Sequence, residues 1–183
     1  GEFVDALQKL LARNKRFRLF IIFLMRPWEV LPLKAKERYL KPMSPAEIRR
    51  ALGLKDEDTF RLYTVTSGIP YLVSQYDPSC TFEENMRMWL RLGSPFYDYC
   101  QKWLSHCFRS PESYNMLLYG MATGQNRVIE LSALSGFPQN KVDKYLKALE
   151  ERDLAIREKE PGNYARYTPA NNYFLLWYKY LFV

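Results

Sequence analysis

Histidine occurs once in the sequence, as His106, and cysteine three times, as Cys80, Cys100 and Cys107. One histidine excludes metal sites built on several His ligands and any proton relay that needs two. Three cysteines, an odd number without a CxxC spacing, fit the reduced thiols of a cytosolic protein better than a disulfide framework, and a structural metal is not expected for the same reason. Cys107 directly follows His106, and adjacent residues of a helix point in different directions, so this pair is not expected to form a Cys-His dyad. Neither a GxxxxGK[ST] phosphate loop nor a GxSxG nucleophile elbow is present. Long apolar runs are missing too. The longest, Leu19 to Met25, is too short to span a bilayer, and Arg26, Pro27, Trp28 and Glu29 stand where a signal peptide needs small residues for cleavage.

What is there describes a globular chain. Its 183 residues suit one domain or two small ones, and 48% hydrophobic with 26% charged residues disfavours disorder, collagen-like repeats and a membrane bundle. Aromatic residues are heavy at 16%. The net charge of +7 permits a polyanionic partner: nucleic acid, nucleotide or an acidic protein. That charge is uneven, with an excess of +5 over residues 1–60, +1 over 61–110 and +1 over 111–183. Nucleic-acid contact by the C-terminal third must therefore rest on how its charges are arranged.

Periodicity predicts a short amphipathic helix over Val4 to Leu11, then a doubly buried strand over Phe17 to Met25. A parallel sheet cannot consist of one strand, so the strand is expected to pair with a partner chain or with residues upstream of those given. Ser44 with Glu47 forms a capping box, with Pro45 at the first helical position, for a helix through Leu52. A helix from Asp56–Asp58 to Thr66 stops at Ser67, Gly68, Ile69 and Pro70. Helices follow over Tyr71 to Tyr76, over Thr81 to Leu92 with Thr81 and Glu84 as a second box, and over Tyr97 to Phe108. From Ser110 the order becomes that of a winged helix-turn-helix. A helix capped by Ser110 ends near Gly124, a second runs from Val128 to Ser135 with Val128, Leu131 and Leu134 inward, and Gly136, Phe137 and Pro138 make a turn. A third helix, Gln139 to Arg152, buries Val142, Tyr145, Leu146 and Leu149, and two β segments flank a hairpin turn at Glu160 to Asn163. The aromatic stretch Tyr173 to Val183 must be buried.

On the third helix Gln139, Asn140, Lys141, Lys144 and Lys147 face outward, with Lys159 and Arg166 on the wing strands. Amides near the N-terminus of such a helix can read base edges in the major groove, and lysines can neutralise phosphates. An ordinary solvated face, with Lys147 and Glu151 as an i,i+4 pair, competes with that assignment. Glu83 with Glu84, and Asp56 with Asp58, read as capping and solvated charges. The Gly68 to Pro70 break frees backbone groups, as a structural turn does and as a ligand site at helix ends does.

Several stretches carry a family resemblance: Pro111 to Leu118, Ala122 to Gly124, Gly136 to Pro138, Tyr145 to Ala155, and the closing Phe174 to Tyr178. Together they resemble the C-terminal part of the archaeal-type ATPases, P-loop NTPases of the STAND and AAA+ class. Ser67 to Leu90 is similar to that family's helical lid, and Phe17 to Val30 with Arg38 to Leu52 looks like the last core strand and the linker. Asp153 stands where the family has glycine, Asn171 where it more often has aspartate, and the phosphate loop is missing.

The resemblance implies a mainly α chain, a helical lid-like domain followed by a winged helix-turn-helix domain with a small β-hairpin. Residues 1–53 would be a remnant of the ATPase core and linker, 54–109 the lid and 110–183 the winged domain. It implies Arg26, Gly68 and Pro70 as nucleotide-binding residues, and ATP with Mg bound by the parent, this chain alone being inactive. The upstream ATPase core, double-stranded DNA or a partner protein are the implied partners, in a cytoplasmic, non-membrane protein open to oligomerisation. A self-contained winged-helix transcription regulator is the alternative.

Overall fold

Local sequence signals place most of the helix ends. The computed structural model describes residues 41–159 and 164–182, with Asp5, Ala6, Lys9 and Ala12 of the N-terminal unit, 1–40, which are helical and exposed. The rest of the helix predicted over Val4 to Leu11, the strand over Phe17 to Met25 and the hairpin turn at Glu160 to Asn163 lie outside the described residues. The second unit, Lys41–Val183, is compact by itself. Its elements are α1 (Pro45–Leu52), α2 (Asp56–Thr66), α3 (Pro70–Val73), α4 (Phe82–Trp89), α5 (Pro95–Cys107), α6 (Glu112–Thr123), α7 (Val128–Ser135), α8 (Gln139–Glu150), β1 (Ala155–Lys159), β2 (Ala165–Pro169) and α9 (Asn172–Tyr180). The described chain is thus mainly helical, with one small antiparallel sheet.

Both predicted capping boxes form. Ser44 Oγ accepts the Glu47 N–H while Glu47 Oε2 accepts the Ser44 N–H at 2.8 Å, and Thr81 with Glu84 repeats the arrangement, again at 2.8 Å. Hydrogen bonding to Ser44 and Thr81 holds both carboxyls below their ordinary range. Elsewhere the boundaries move. Serine 94 caps α5 by accepting the Tyr97 N–H at 3.0 Å, so the helix starts at Pro95, ahead of the predicted Tyr97. Pro111, not Ser110, is the N-cap of α6, and no side chain caps that end. The helix predicted over Tyr71 to Tyr76 is a single turn ending at Val73, and α4 stops at Trp89, ahead of Leu92.

Two glycines are required by packing. Gly68 has φ +70°, and a Cβ there would lie 2.0 Å from the Met43 carbonyl oxygen. At Gly120 a Cβ would lie 2.6 Å and 2.7 Å from the methyls of Leu134 and Leu131, which is how closely α7 approaches α6. Leu131 is fully buried, whereas Leu134 is 37% exposed, so the inward face of α7 is narrower than its sequence period suggests.

The predicted burial of the aromatic C-terminal stretch takes the form of α9, which places Tyr173, Phe174, Trp177 and Tyr178 in the core. Helix α9 packs on α6, on α2 and α5, and on β2, so segments drawn above as lid and wing share one core. Its first turn is capped twice: Asn171 Oδ1 accepts the Phe174 N–H, and Ser67 Oγ accepts the Tyr173 N–H, both at 3.1 Å. The Tyr173 hydroxyl donates to the Phe96 carbonyl at 2.7 Å and accepts the Cys100 N–H at 3.1 Å. It thereby bridges two groups that a helix ladder would pair with each other.

Candidate nucleic-acid interface

Helix α8 carries most of the candidate contact residues. Its inner face is Val142, Leu146 and Leu149, all fully buried, with Tyr145 half-buried beside them. The spacing i, i+4, i+7 turns one apolar stripe to α6 and α7 and leaves the opposite side in water. Gln139, Asn140, Lys144 and Lys147 are exposed there, and Lys141 is half-buried. The polar side is mixed in charge. Burial raises the Tyr167 phenol of β2 above its ordinary range, with Arg157 opposing and Glu150 and Asp143 of α8 adding smaller contributions. Asn140, Lys144 and Lys147 follow one another at i, i+4 and i+7 on the exposed flank, and Asp143 and Glu150 border it, four and three positions from Lys147. The i,i+4 pair of Lys147 with Glu151 is not made; Glu151 lies 3.9 Å from Arg152 instead.

Lys141 stands apart from the other lysines. Its ammonium is 3.8 Å from the Phe137 ring centroid and 5.5 Å from that of Tyr145.

The hairpin pairs Ala155 with Pro169, Arg157 with Tyr167, Glu158 with Arg166 and Lys159 with Ala165. Cross-strand partners share a face, so Lys159 lies on the face of Tyr167 and Arg166 on the opposite one, beside Glu158. Both cations are exposed, yet the structure does not bring them together on one face of the hairpin. Arg166 acts electrostatically on Glu130, whose carboxylate accepts the N–H groups of Asn126 at 2.8 Å and Arg127 at 3.0 Å and is held below its ordinary range chiefly by those bonds. Sequence inspection missed Arg127. At the N-cap of α7 its guanidinium lies 5.5 Å from the centroid of the exposed Tyr164 ring, and no sequence pattern marks a contact across 37 residues of chain. Strand β2 is tied to this corner by the Tyr167 N–H, which donates to the Asn126 carbonyl at 2.8 Å.

Of the expected nucleotide-binding residues, Arg26 lies outside the described residues. Gly68 is buried, its carbonyl accepting the Met43 N–H at 2.7 Å and its N–H directed at Thr66 Oγ at 3.3 Å. Pro70 is exposed, and proline has no N–H. These two positions do not fit a phosphate, because neither offers it a backbone donor. Their evident task is the turn: Gly68 supplies the left-handed backbone and Pro70 starts α3. Among the described residues no cluster of His, Cys, Asp and Glu is arranged to hold a metal ion, and no helix is long and apolar enough to cross a membrane. Burial and Asp77 raise the Cys80 thiol, and burial alone pushes Cys100 far up, so both remain protonated at neutral pH.

No family model, no curated protein and no solved structure matches the chain.

Proposed function

We propose that residues 110–182 work as a winged helix-turn-helix that binds duplex DNA through α8, and that the chain is the C-terminal lid and winged-helix part of an ATPase of the archaeal-type class. The observation that carries the reading is the succession of α6, α7, α8, β1 and β2, three helices and an antiparallel hairpin, with Asn140, Lys144 and Lys147 exposed on one flank of the third helix. An α-helix with its side chains is about 10–12 Å across and the major groove about 12 Å wide, so such a helix can enter it. There Asn140 can pair with adenine through two hydrogen bonds, and Lys144 and Lys147 can neutralise phosphates.

The test is the salt dependence of duplex DNA affinity. Binding is expected to weaken linearly on a log–log plot, and Lys144→Ala and Lys147→Ala each to make the slope shallower by about 0.9. A flat response, or no change in either variant, overturns DNA contact by α8 and leaves a partner protein as its ligand.

In the proposed parent, ATP and Mg belong to the upstream core, which carries the phosphate loop this sequence lacks. No step is assigned to Gly68 or Pro70, for the reason given by their hydrogen bonds. Nucleotide state would then reach α8 through the packing of α9 on α2, α5, α6 and β2. A self-contained winged-helix transcription regulator is the second reading, favoured by the single compact unit formed by Lys41–Val183. An in-frame phosphate loop upstream in the gene supports the ATPase, and a gene that starts at about this point supports the regulator.

A further inference from the structure

The N-terminal half of α8 is braced by a column of four aromatic rings with a cation at each end. Phe137, in the turn before α8, lies edge-on to Tyr145 at 5.8 Å, and Tyr145 tilts against Tyr114 of α6 at 4.8 Å. Tyr114 stacks on Phe108, the C-cap of α5, at 3.6 Å. Arg152 closes that end: its guanidinium lies 4.8 Å from the Phe108 centroid, and its Nε donates to the Cys107 carbonyl at 3.2 Å. Lys141 closes the other end, over Phe137 and Tyr145 at once. Residue 141 follows Phe137 and precedes Tyr145 by four positions, so its side chain can span the turn and the next coil of the helix. Lys144 lies about 60° around the helix from it, on the exposed flank.

A lysine whose ammonium rests on two ring faces must leave them to reach a phosphate. We infer that Lys141 is a positioning residue for DNA contact and does not itself neutralise a phosphate: it clamps the Gly136–Pro138 turn to α8 and fixes the direction in which Asn140, Lys144 and Lys147 project. This rests on the DNA-binding reading of α8 and changes the role of one residue within it. The column also ends on α5, so the same clamp ties the set of α8 to the helices that precede α6.

Two measurements test the assignment. In the first, duplex DNA affinity is titrated against salt for the wild-type chain and for Lys141→Ala, Lys141→Arg, Lys144→Ala and Lys147→Ala. Lys141→Ala is expected to weaken binding about fivefold with an unchanged salt slope, as loss of one ring-held cation would. Lys141→Arg, which keeps a cation able to lie on ring faces, restores wild-type affinity. A slope shallower by about 0.9 in Lys141→Ala, equal to that of Lys144→Ala, makes Lys141 a phosphate contact and overturns the inference while the DNA reading stands. A wild-type chain without salt-dependent duplex binding overturns the DNA reading, and the inference with it. In the second, NMR of the free wild-type chain is expected to show the Lys141 ε-methylene protons shifted upfield by the rings beneath them. Unshifted protons remove the clamp whatever the DNA titration shows.

Discussion

Tyr173 uses each of its polar groups on a different part of the chain: the N–H on Ser67, and the hydroxyl on both Phe96 and Cys100. Burial raises this phenol far above its ordinary range, so it stays neutral and keeps its donor. Tyr173→Phe is expected to cost about 1–3 kcal/mol in urea unfolding, because the Phe96 carbonyl loses a donor inside the core. Gly68→Ala is expected to cost about 2 kcal/mol or more, since the added methyl meets the Met43 carbonyl at a positive φ. Its measure is a lowered urea midpoint with an unchanged m-value. Gly68 and Tyr173 sit on either side of Ser67, itself left-handed at φ +53°, a conformation rarely adopted by a residue with a side chain. The distal cap that Ser67 gives α9 supplies a reason for serine at that position.

At the scale of elements, the acid side of the stability curve draws on the capping boxes, alongside Asp77, which Ser79 holds down in the same way. Glu47, Glu84 and Glu130 all titrate below their ordinary value of 4.5 in the folded chain, held down by N–H and hydroxyl donors. A lowered carboxylate contributes stability that is complete above its unfolded pKa and is lost as pH falls through the folded one. Stability is therefore expected to fall below about pH 4.5, and Glu84→Gln to flatten that limb in a pH series of thermal melts. The same boxes show what a sequence makes legible. Ser44 with Glu47, Thr81 with Glu84, and the left-handed Gly124 and Gly136 are local signals, satisfied within a few residues, and the structure has them where the spacing put them. Ser110 failed as a cap because Pro111 already holds the terminus of α6 in helical geometry. In the candidate site the outward face of α8 was legible from its period. The electrostatic reach of Asp143 and Glu150 to Tyr167 was not, because it depends on where β2 lies. The capture of Lys141 depends on the turn that brings Phe137 back over the helix.

The compact unit Lys41–Val183 turns on α9. Burying four aromatic side chains is worth on the order of 6–12 kcal/mol gross, comparable with the entire net stability of a domain this size. Trp89 of α4 and Trp177 of α9 are both buried, so unfolding followed by tryptophan fluorescence and by circular dichroism is expected to give coincident transitions. A chain ending at Asn171 is expected to lose cooperative unfolding and to bind a dye for exposed apolar surface. Separate transitions, with residues 110–171 melting alone, would show two domains in place of one core. Several hydrogen-bond partners of α9 lie 70 to more than 100 positions earlier in the chain, Phe96, Cys100 and Ser67 among them. The core of Lys41–Val183 therefore cannot close during synthesis until α9 has left the ribosome tunnel. Until then α2, α5 and α6 present to chaperones and proteases the apolar faces that α9 will cover.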